Sequence, residues 1–244
     1  MRILHIEEVE STNSYVERHV AELQHGDVIT AECQTAGRGQ RGNSWESAPG
    51  KNLTFTLLLK PRIQANMQFS LSSMVALQIC EVLEEFSGVT CKVKWPNDIY
   101  TADDRKICGI LISHSLQGRN ICHSVVGAGI NINQDKFISD APNPVSVFQL
   151  TGKIHPLNPL LKVLAERIIE GCELLSNENY RDLIARKYIE NLWRGDHKFY
   201  PFRDTSSGEI FKARVEDIET SGHLLLCDEE GKRRRFAFKE VEWL

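Results

Sequence analysis

The sequence has no uninterrupted apolar run of about 18 residues, the length that a membrane-spanning helix requires. Its N-terminal segment, MRILHIEEVEST, carries acidic residues where a secretory signal needs an apolar stretch. Positive charge is not in excess either, because 29 Lys and Arg residues stand against 33 Asp and Glu residues. These absences predict a cytoplasmic protein without membrane association. They also argue against a general nucleic-acid binder, whose binding domain is normally basic.

The cysteines show no pattern of their own. Seven are scattered along the chain without a C-x-x-C pair or a histidine at zinc-ligand spacing, so we predict that they are reduced and mostly buried. Repeats and low-complexity segments are also missing. What remains is a chain of 244 residues with 41% hydrophobic composition, which is enough for one large domain and a small one.

Apolar periodicity predicts strands in the middle of the chain and helices that flank them. The predicted strands lie at 3–9, 27–33, 52–59 and in the runs CKVKW, KICGILISHS and ICHSVVGAGINI. The predicted helices follow Ser11 and cover 71–86, 160–175 and 178–192. The segment PNDIYTADDR is predicted as a turn, and 139–159 as a broken connection rich in proline. After Trp193, short alternating strands predict a small all-β barrel. We therefore expect an α+β protein with one domain at 1–195 and a second at 196–244.

The segment GRGQRG, residues 37–42, has the G-x-G-x-x-G spacing of a dinucleotide-binding turn. A predicted strand precedes it, but no helix follows, and the positions about 20 residues further on carry no carboxylate for a ribose. A dinucleotide site is therefore not supported. Arg38 and Arg41, with glycines beside them, suit either a loop that binds a phosphate or acyl phosphate or a solvent-exposed turn.

Three polar positions follow later strands. Asn97 and Asp98 in KWPNDIY could offer oxygens to a magnesium ion, or they could form an ordinary Asx-turn. Lys106 opens the next strand, either as a solvated flank or as a point charge for a carboxylate or phosphate in a cleft. Gly109 lies within that strand, where glycine commonly marks the close approach of a ligand or another backbone.

The segment GAGININ, residues 127–133, places two glycines at a strand end before asparagines that can hold polar groups. A strand that ends in a tight turn would have the same kind of sequence. None of these features decides the function alone. Together they supply glycines, cations and a candidate magnesium site on a β scaffold, a combination that indicates nucleotide chemistry.

Five motifs in this order, ESTNSYV, AECQTAGRGQRGNSW, KWPNDIY, RKICGILI and GAGININ, followed by a small β domain, resemble the biotin protein ligase family. The resemblance covers essentially the whole chain. It implies a catalytic domain related to class II aminoacyl-tRNA synthetases, with a mixed sheet flanked by helices, and a C-terminal SH3-like barrel. It also implies that ATP and Mg²⁺ activate biotin as biotinyl-5′-AMP. A lysine of a biotin carboxyl carrier protein then takes the biotinyl group, and we expect the ligase to be a monomer or homodimer.

The resemblance also implies roles for individual residues. The catalytic set comprises Lys106, Arg38 and Asp98. Contacts to biotin or the adenylate are implied for Ser11, Thr12, Asn13, Gln34, Gly37, Arg38, Gly39, Gln40, Trp45, Lys106, Gly109, Gly127 and Gly129. ATP and magnesium are assigned to Asn97, Asp98 and Asn131, with Asp98 as the magnesium ligand.

Two positions depart from the family pattern. Many members have arginine where this chain has Gln40 and Asn43. Arginine at the first position helps to retain the adenylate, so we hypothesise that this chain holds biotinyl-AMP more loosely. Equal adenylate release by the wild type and Gln40→Arg would contradict this. The first catalytic strand begins at Arg2, so we also expect no N-terminal DNA-binding domain and no operator binding.

Two other functions fit parts of the sequence. A lipoyl or octanoyl transferase on the same scaffold would use Lys106 and Cys108, which would share a face of a regular strand as a lysine-activated thiol. A cysteine in ICGILI is more often a small core residue. A nucleic-acid-binding module would use the basic run from Lys232 to Arg235. On a strand, those charges divide between both faces, as in a solvated hairpin, or they help to dock the carrier or nucleotide.

Overall fold

The structure is a computed structural model that describes residues 1–39, 44–139 and 142–244. A large sheet is built from β1 (Ile3–Val9), β2 (Asp27–Gln34), β3 (Leu53–Leu59), β4 (Cys91–Lys94), β5 (Asp98–Thr101), β6 (Lys106–Gln117) and β7 (Asn120–Ile130). Its seven strands lie in the order β1-β2-β3-β7-β6-β5-β4. The pair β1 and β2 is parallel and every other neighbouring pair is antiparallel, so the sheet is mixed as predicted.

Helices cover both faces of this sheet. In the described chain they are α1 (Thr12–Arg18), α2 (Gln68–Ser87), α3 (Val147–Thr151), α4 (Leu157–Leu174) and α5 (Glu178–Glu190). The short α1 packs on one face, where Val16 joins a small cluster with Leu58 and Val125. Their neighbours along β3 and β7, Leu57 and Val126, belong to the larger core beneath α2 and α4, because successive strand residues point to opposite faces.

Two short elements fall in segments that the sequence analysis assigned to turns. The strand β5 lies within PNDIYTADDR, and α3 lies within the proline-rich connection 139–159. The helix α3 spans five residues, too few for a repeating helical pattern to show in the sequence. It begins with a capping box in which Ser146 and Gln149 each bond the other's backbone amide. The predicted turns are therefore only partly correct, because local capping and pairing create order there.

The pairing of β5 with β6 corrects one prediction. Ile99 lies opposite Cys108, but the next residue, Tyr100, lies opposite Lys106, so β6 carries one extra residue, Ile107. A bulge of this kind reverses the alternation of side chains along a strand. Lys106 lines a cavity, whereas Cys108 is completely buried in the core. The expectation that both side chains share one face is therefore wrong.

The C-terminal residues form a second, five-stranded antiparallel sheet. Its strands are β8 (Tyr200–Asp204), β9 (Ile210–Ile218), β10 (Leu224–Asp228), β11 (Arg233–Phe236) and β12 (Val241–Trp243), in the order β11-β10-β9-β8-β12. Every strand of the large sheet precedes residue 195 and every strand of the small sheet follows it. The closed SH3-like barrel and the domain boundary near Gly195 stay predictions.

Aromatic residues join the two sheets. The Trp95 indole Nε1 donates a hydrogen bond to the Gly222 carbonyl at 3.0 Å. Phe238 lies edge-on against both Trp95 and Phe69, with ring centroids 5.3 and 6.1 Å apart. These contacts hold the segment around Phe238 close to the large sheet. In the described parts of the chain, no helix is long and apolar enough to cross a membrane.

Candidate active site

A cavity of about 650 Å³ opens over β6 and β7 and collects nearly all of the predicted site residues. The predicted residues that line it are Ser11, Thr12, Asn13, Gln34, Arg38, Gly39, Trp45, Asn97, Asp98, Lys106, Gly109, Gly127, Gly129 and Asn131. Gly37 is not among the lining residues, because it packs against the backbone of Trp45. Gln40 lies outside the described residues.

One end of the cavity is a buried network of uncharged polar groups. Gln34 Oε1 accepts a hydrogen bond from the backbone N–H of Thr12 at 2.8 Å. The Thr56 hydroxyl lies 2.8 Å from Thr12 Oγ1 and 2.6 Å from Asn13 Oδ1. Asn13 Nδ2 donates to the carbonyl of Leu111 at 3.1 Å. Thr56 is not among the predicted site residues, because in sequence it looks like any other residue of a buried strand.

Three glycines make room for protein side chains beside the cavity. A β-carbon at Gly127 would overlap the Asn13 amide, and one at Gly129 would overlap the Trp45 indole. At Gly109 a β-carbon would lie 3.0 Å from Trp45 Cζ3. The group that approaches Gly109 in this structure is the indole of Trp45 and not another backbone, and the close approach of a ligand stays a prediction. Each of the three glycines also lines the cavity.

The other end of the cavity is charged. Lys106 Nζ lies 2.8 Å from Asp98 Oδ1, and the ammonium is 5.8 Å from the centroid of the Trp45 ring. Lys106 therefore points into the cavity and is not a solvated flank. Its backbone N–H donates to the Asn143 carbonyl at 2.8 Å, which fixes the start of β6 beside the segment that follows residue 141.

Two asparagines at this end differ in their hydrogen bonding. Asn97 uses its Nδ2 to donate to the Ile110 carbonyl, which ties the turn before β5 to β6. Asn131 donates through Nδ2 to the Val145 carbonyl at 3.1 Å. The Oδ1 atom of Asn131 is buried and has no hydrogen-bond partner among the described residues. Buried acceptors are rarely left unpaired, so this oxygen is a candidate ligand contact.

Arg38 lies at the exposed rim of the cavity. Its guanidinium donates to Ser14 Oγ at 3.1 Å and lies 3.6 Å from a carboxylate oxygen of Glu17 on α1. Exposed ion pairs of this kind contribute little, typically about 0–1 kcal/mol. Arg38 can therefore exchange these partners for a ligand at small cost.

The cavity also contains residues that the sequence analysis did not select. They are Ser44, Glu46, Phe55, Ile110, Leu111, Ala128, Phe137, Ser139, Pro142, Pro144 and Lys239. Lys239 follows Phe238 and comes from the small sheet's end of the chain, so both parts of the molecule contribute to one site. The sequence around Lys239 does not indicate that it lines the cavity, because only the packing of Phe238 brings Lys239 to the site.

The motifs that carry the predicted site residues share one cavity, and they also lie in the part of the chain that matches a known protein family. Residues 6–131, which hold every predicted cavity residue, match the model of the biotin/lipoate A/B protein ligase family. The chain belongs to that family. Further comparisons show relatives among biotin ligases of bacteria and plants and a matching fold in solved structures.

Two relatives and one structure illustrate how similar these ligases are. The bifunctional ligase/repressor BirA of Salmonella typhimurium is 32% identical over 220 residues, covering 89% of this chain and 67% of that protein. Biotin–protein ligase 2 of Arabidopsis thaliana is 28% identical, covering 90% and 68%. The structure of biotin protein ligase from Aquifex aeolicus in complex with biotin and ATP superposes with a TM-score of 0.82 at 22% identity, over 100% of this chain and 99% of that one.

The chain spans only part of several bacterial relatives. It covers 67% of the Salmonella protein, 56% of the Escherichia coli BirA and 65% of the Bacillus subtilis BirA. The Aquifex structure, in contrast, is matched over nearly its full length, including the five-stranded sheet. The chain therefore has the same fold as a solved biotin protein ligase.

Cys108 does not provide the reactive thiol that an acyl-transferase mechanism would need. Cys108 has no exposed surface, and burial raises the pKa of its thiol well above the ordinary value. A thiol nucleophile needs the thiolate form and access to the substrate. Cys108 has neither, and it is a core residue. The other cysteines are free, and the buried ones are Cys80, Cys91, Cys172 and Cys227, in agreement with the prediction.

The basic run of the second sheet is paired with acids on both faces. Arg233 and Arg235 bond Glu216 and Glu219 at 2.8 Å, while Arg234 reaches Asp228 at 3.1 Å on the other side. This arrangement matches the solvated hairpin and divides the charges between two faces as expected. The run therefore does not form a continuous basic surface for nucleic acid.

Proposed function

We propose that this protein is an ATP-dependent biotin protein ligase. It makes biotinyl-5′-AMP from biotin and ATP and then transfers biotin to a lysine of a biotin carboxyl carrier protein or domain. One observation carries the proposal: a single cavity joins an uncharged polar end built on Asn13 to the Lys106–Asp98 ion pair. The cyclic urea of biotin needs the first environment, and its reacting carboxylate needs the second.

The polar end suits the cyclic urea because it offers both donors and acceptors without a charge. Gln34 Oε1 is occupied by Thr12, so Gln34 meets a ligand through its amide N–H groups. Ser11, Thr12 and Asn13 are buried at the start of α1, with their polar atoms at the cavity. A site of this kind rejects a ligand without matching polar groups, since its buried donors and acceptors would then lose their partners. Lipoate and octanoate have no urea.

In the first step, a carboxylate oxygen of biotin attacks the α-phosphorus of ATP and the bond to pyrophosphate breaks. Negative charge on the carboxylate and phosphate must be balanced while these groups approach each other. The Lys106 ammonium supplies a fixed positive charge in the cavity, and Asp98 holds it there at 2.8 Å before the ligand arrives. Arg38 exchanges Ser14 and Glu17 for the phosphate when the ligand binds.

A magnesium ion fits this end of the cavity. Mg²⁺ typically takes about one or two protein carboxylates and completes its shell with phosphate oxygens and water. Asp98 supplies a carboxylate, and Asn131 Oδ1 supplies a buried oxygen without a partner in the described structure. No group of three or more His, Cys, Asp or Glu residues suited to a metal occurs within 1–39, 44–139 and 142–244. The bound ion would neutralise charge on the triphosphate.

In the second step, the amine of the acceptor lysine attacks the acyl carbon of the adenylate and AMP leaves. Lys106 balances the charge that stays on the departing phosphate. Asp98 and Asn131 line the same part of the cavity, where their oxygens can orient the incoming amine. The carrier protein is cytoplasmic in this proposal, and the ligase acts there as a monomer or homodimer.

The test is an acceptor assay with the full chain, ATP, Mg²⁺ and an isolated biotin carboxyl carrier domain. Parallel reactions contain biotin, lipoate or octanoate, and the mass of the acceptor reports the transferred group. We expect modification with biotin only. Modification with lipoate or octanoate in place of biotin would overturn the proposal.

Two lysine variants show whether the activity belongs to this site. Lys106→Ala should lose at least a hundredfold in rate, since fixed charges at developing negative charge are typically worth about 10²–10³ in kcat. Lys162→Ala serves as the matched control, because Lys162 is exposed on α4 with only a 4.0 Å contact to Glu166. Activity that survives in Lys106→Ala would refute the role of Lys106.

A further inference from the structure

Residues 134–139 form a wall of the cavity, and polar contacts hold that segment in place. The segment contains no helix or strand, and Phe137 and Ser139 line the cavity. Ile138 is 91% exposed and Phe137 is only half-buried, so apolar burial contributes little to holding the segment. The segment must therefore be held by polar contacts.

Three of those contacts converge on Glu46. Two others tie the segment to the start of α3, where Ser146 Oγ donates to the Gln134 carbonyl at 2.5 Å and Gln149 Nε2 donates to the Asp135 carbonyl at 2.9 Å. One carboxylate oxygen accepts hydrogen bonds from the Ile138 N–H and from Gln134 Nε2, both at 3.0 Å. The other accepts from the Ser139 N–H at 2.8 Å. Burial opposes the charge of Glu46, but these hydrogen bonds outweigh it and lower the pKa of the carboxyl group below its ordinary value. The residue is therefore an ionised acceptor for the backbone of this wall.

Glu46 is itself fixed from the opposite side. Its neighbour Trp45 packs on Gly129, while Gln134 Oε1 accepts from the Ala48 N–H at 2.9 Å and from Asn52 Nδ2 at 2.5 Å. The stretch that carries Trp45 and the wall that carries Phe137 are thus linked by the Glu46 carboxylate and by the side chain of Gln134. Neither stretch can shift without breaking charge-assisted hydrogen bonds.

This wall stands at the charged end of the cavity. Shortly after it, the Asn143 carbonyl accepts from the Lys106 N–H, and Pro144 forms a bridge with the same residue. The hydrogen bonds given above for the polar network around Asn13 do not involve residues 134–139, so a change in the wall affects the charged end first.

We propose that Glu46 is a positioning residue for ATP: it holds residues 134–139 against the Trp45 stretch, so that the nucleotide end of the cavity is formed before ligand arrives. The inference rests on the proposed ligase function, because it assigns the charged end of the cavity to ATP. Pre-ordering of this kind lowers the entropy that binding must otherwise remove.

Glu46→Gln is the decisive variant, because it keeps the shape and replaces one acceptor oxygen with an NH₂ group that faces backbone N–H groups. Glu32→Gln is the matched control, since Glu32 is exposed on β2 and outside the cavity. Hydrogen exchange of the ligand-free chain is measured over 134–139, and steady-state kinetics are measured for ATP and for biotin.

We expect exchange over 134–139 to become at least about tenfold faster in Glu46→Gln. We also expect the KM for ATP to rise about tenfold, the scale of losing one hydrogen bond to a charged group. The kcat and the KM for biotin should stay within about twofold, because the polar end and Lys106 are unchanged. A purely structural role would lower stability without this separation.

Unchanged exchange, or an unchanged KM for ATP, in Glu46→Gln would overturn the inference. If this variant yields too little folded protein, Glu46→Asp gives the same comparison, because it keeps the charge but withdraws it by one methylene from the Ser139 N–H. Hydrogen exchange needs no catalysis, so its result is separate from the ligase proposal. A wild-type enzyme that fails to label the acceptor would instead remove the proposed function.

Discussion

The indole of Trp45 occupies the space that a β-carbon at Gly129 would fill. Trp45 follows the segment GRGQRG, residues 37–42, and Gly129 lies near the end of β7, far apart in sequence. The contact seats Trp45 on the floor of the cavity. It explains why glycine stands at a strand position, where it otherwise weakens the sheet.

Gly129→Ala should therefore displace Trp45 and reduce both stability and activity. Inserting a methyl group into packed structure costs typically about 1–3 kcal/mol. Urea unfolding measures the stability, and the acceptor assay measures the activity. Gly109→Ala should have a smaller effect, because its β-carbon would lie 3.0 Å from Trp45. Equal losses in the two variants would contradict this account of the contact.

Thr56→Val should weaken biotin binding more than its effect on folding explains. The change leaves Asn13 Oδ1 without its 2.6 Å partner, and an unsatisfied buried polar group costs about 1–3 kcal/mol. Calorimetric titration with biotin measures the affinity. The matched control is Thr30→Val, which removes a buried hydroxyl that bonds the Thr54 carbonyl outside the cavity. The control should lose stability but retain wild-type biotin affinity, and a parallel loss of affinity would count against the network.

The stability of the protein should fall as the pH is lowered through the range below 6.5, in part because of His114. Burial lowers the pKa of His114 from its ordinary value of 6.5. The unfolded chain therefore binds a proton more readily than the folded one, so this stabilisation is present above pH 6.5 and is lost as the pH falls through the folded pKa. His114→Gln should make the melting temperature less dependent on pH between about pH 7 and 5, as measured by thermal unfolding.

A control for that titration is His5→Gln, which removes an exposed imidazole on β1. It should retain the wild-type pH dependence. If the melting temperature of His114→Gln falls with decreasing pH as steeply as that of the wild type, other groups cause the loss of stability in acid.

Cys108→Ala should leave biotin transfer nearly unchanged. The thiol lies in the core beneath β6 and does not line the cavity. We expect a loss of stability on the order of 1 kcal/mol from the small void, together with a kcat within about twofold of wild type. Loss of transfer by a folded Cys108→Ala protein, measured in the acceptor assay, would revive the acyl-transferase mechanism.

Much of this architecture could be read from local patterns. Alternation along Leu53–Leu59 and the helical spacing within Gln68–Ser87 were enough to predict β3 and α2, because each element buries a continuous apolar face. The two short elements β5 and α3 could not be read, since pairing and capping, rather than periodicity, define them. The resemblance of five motifs supplied the candidate residues.

The sequence by itself determined most of the strands and helices and the set of polar residues that could serve a nucleotide. Tertiary structure alone decided how those residues are used. One extra residue in β6 turns Lys106 to the cavity and Cys108 to the core, and register is a property of two strands together. Packing of Phe238 brings Lys239 to a site made mostly by the first 144 residues. Glu46 gains its place from backbone amides about 90 residues away, a relationship that no local pattern of side chains encodes.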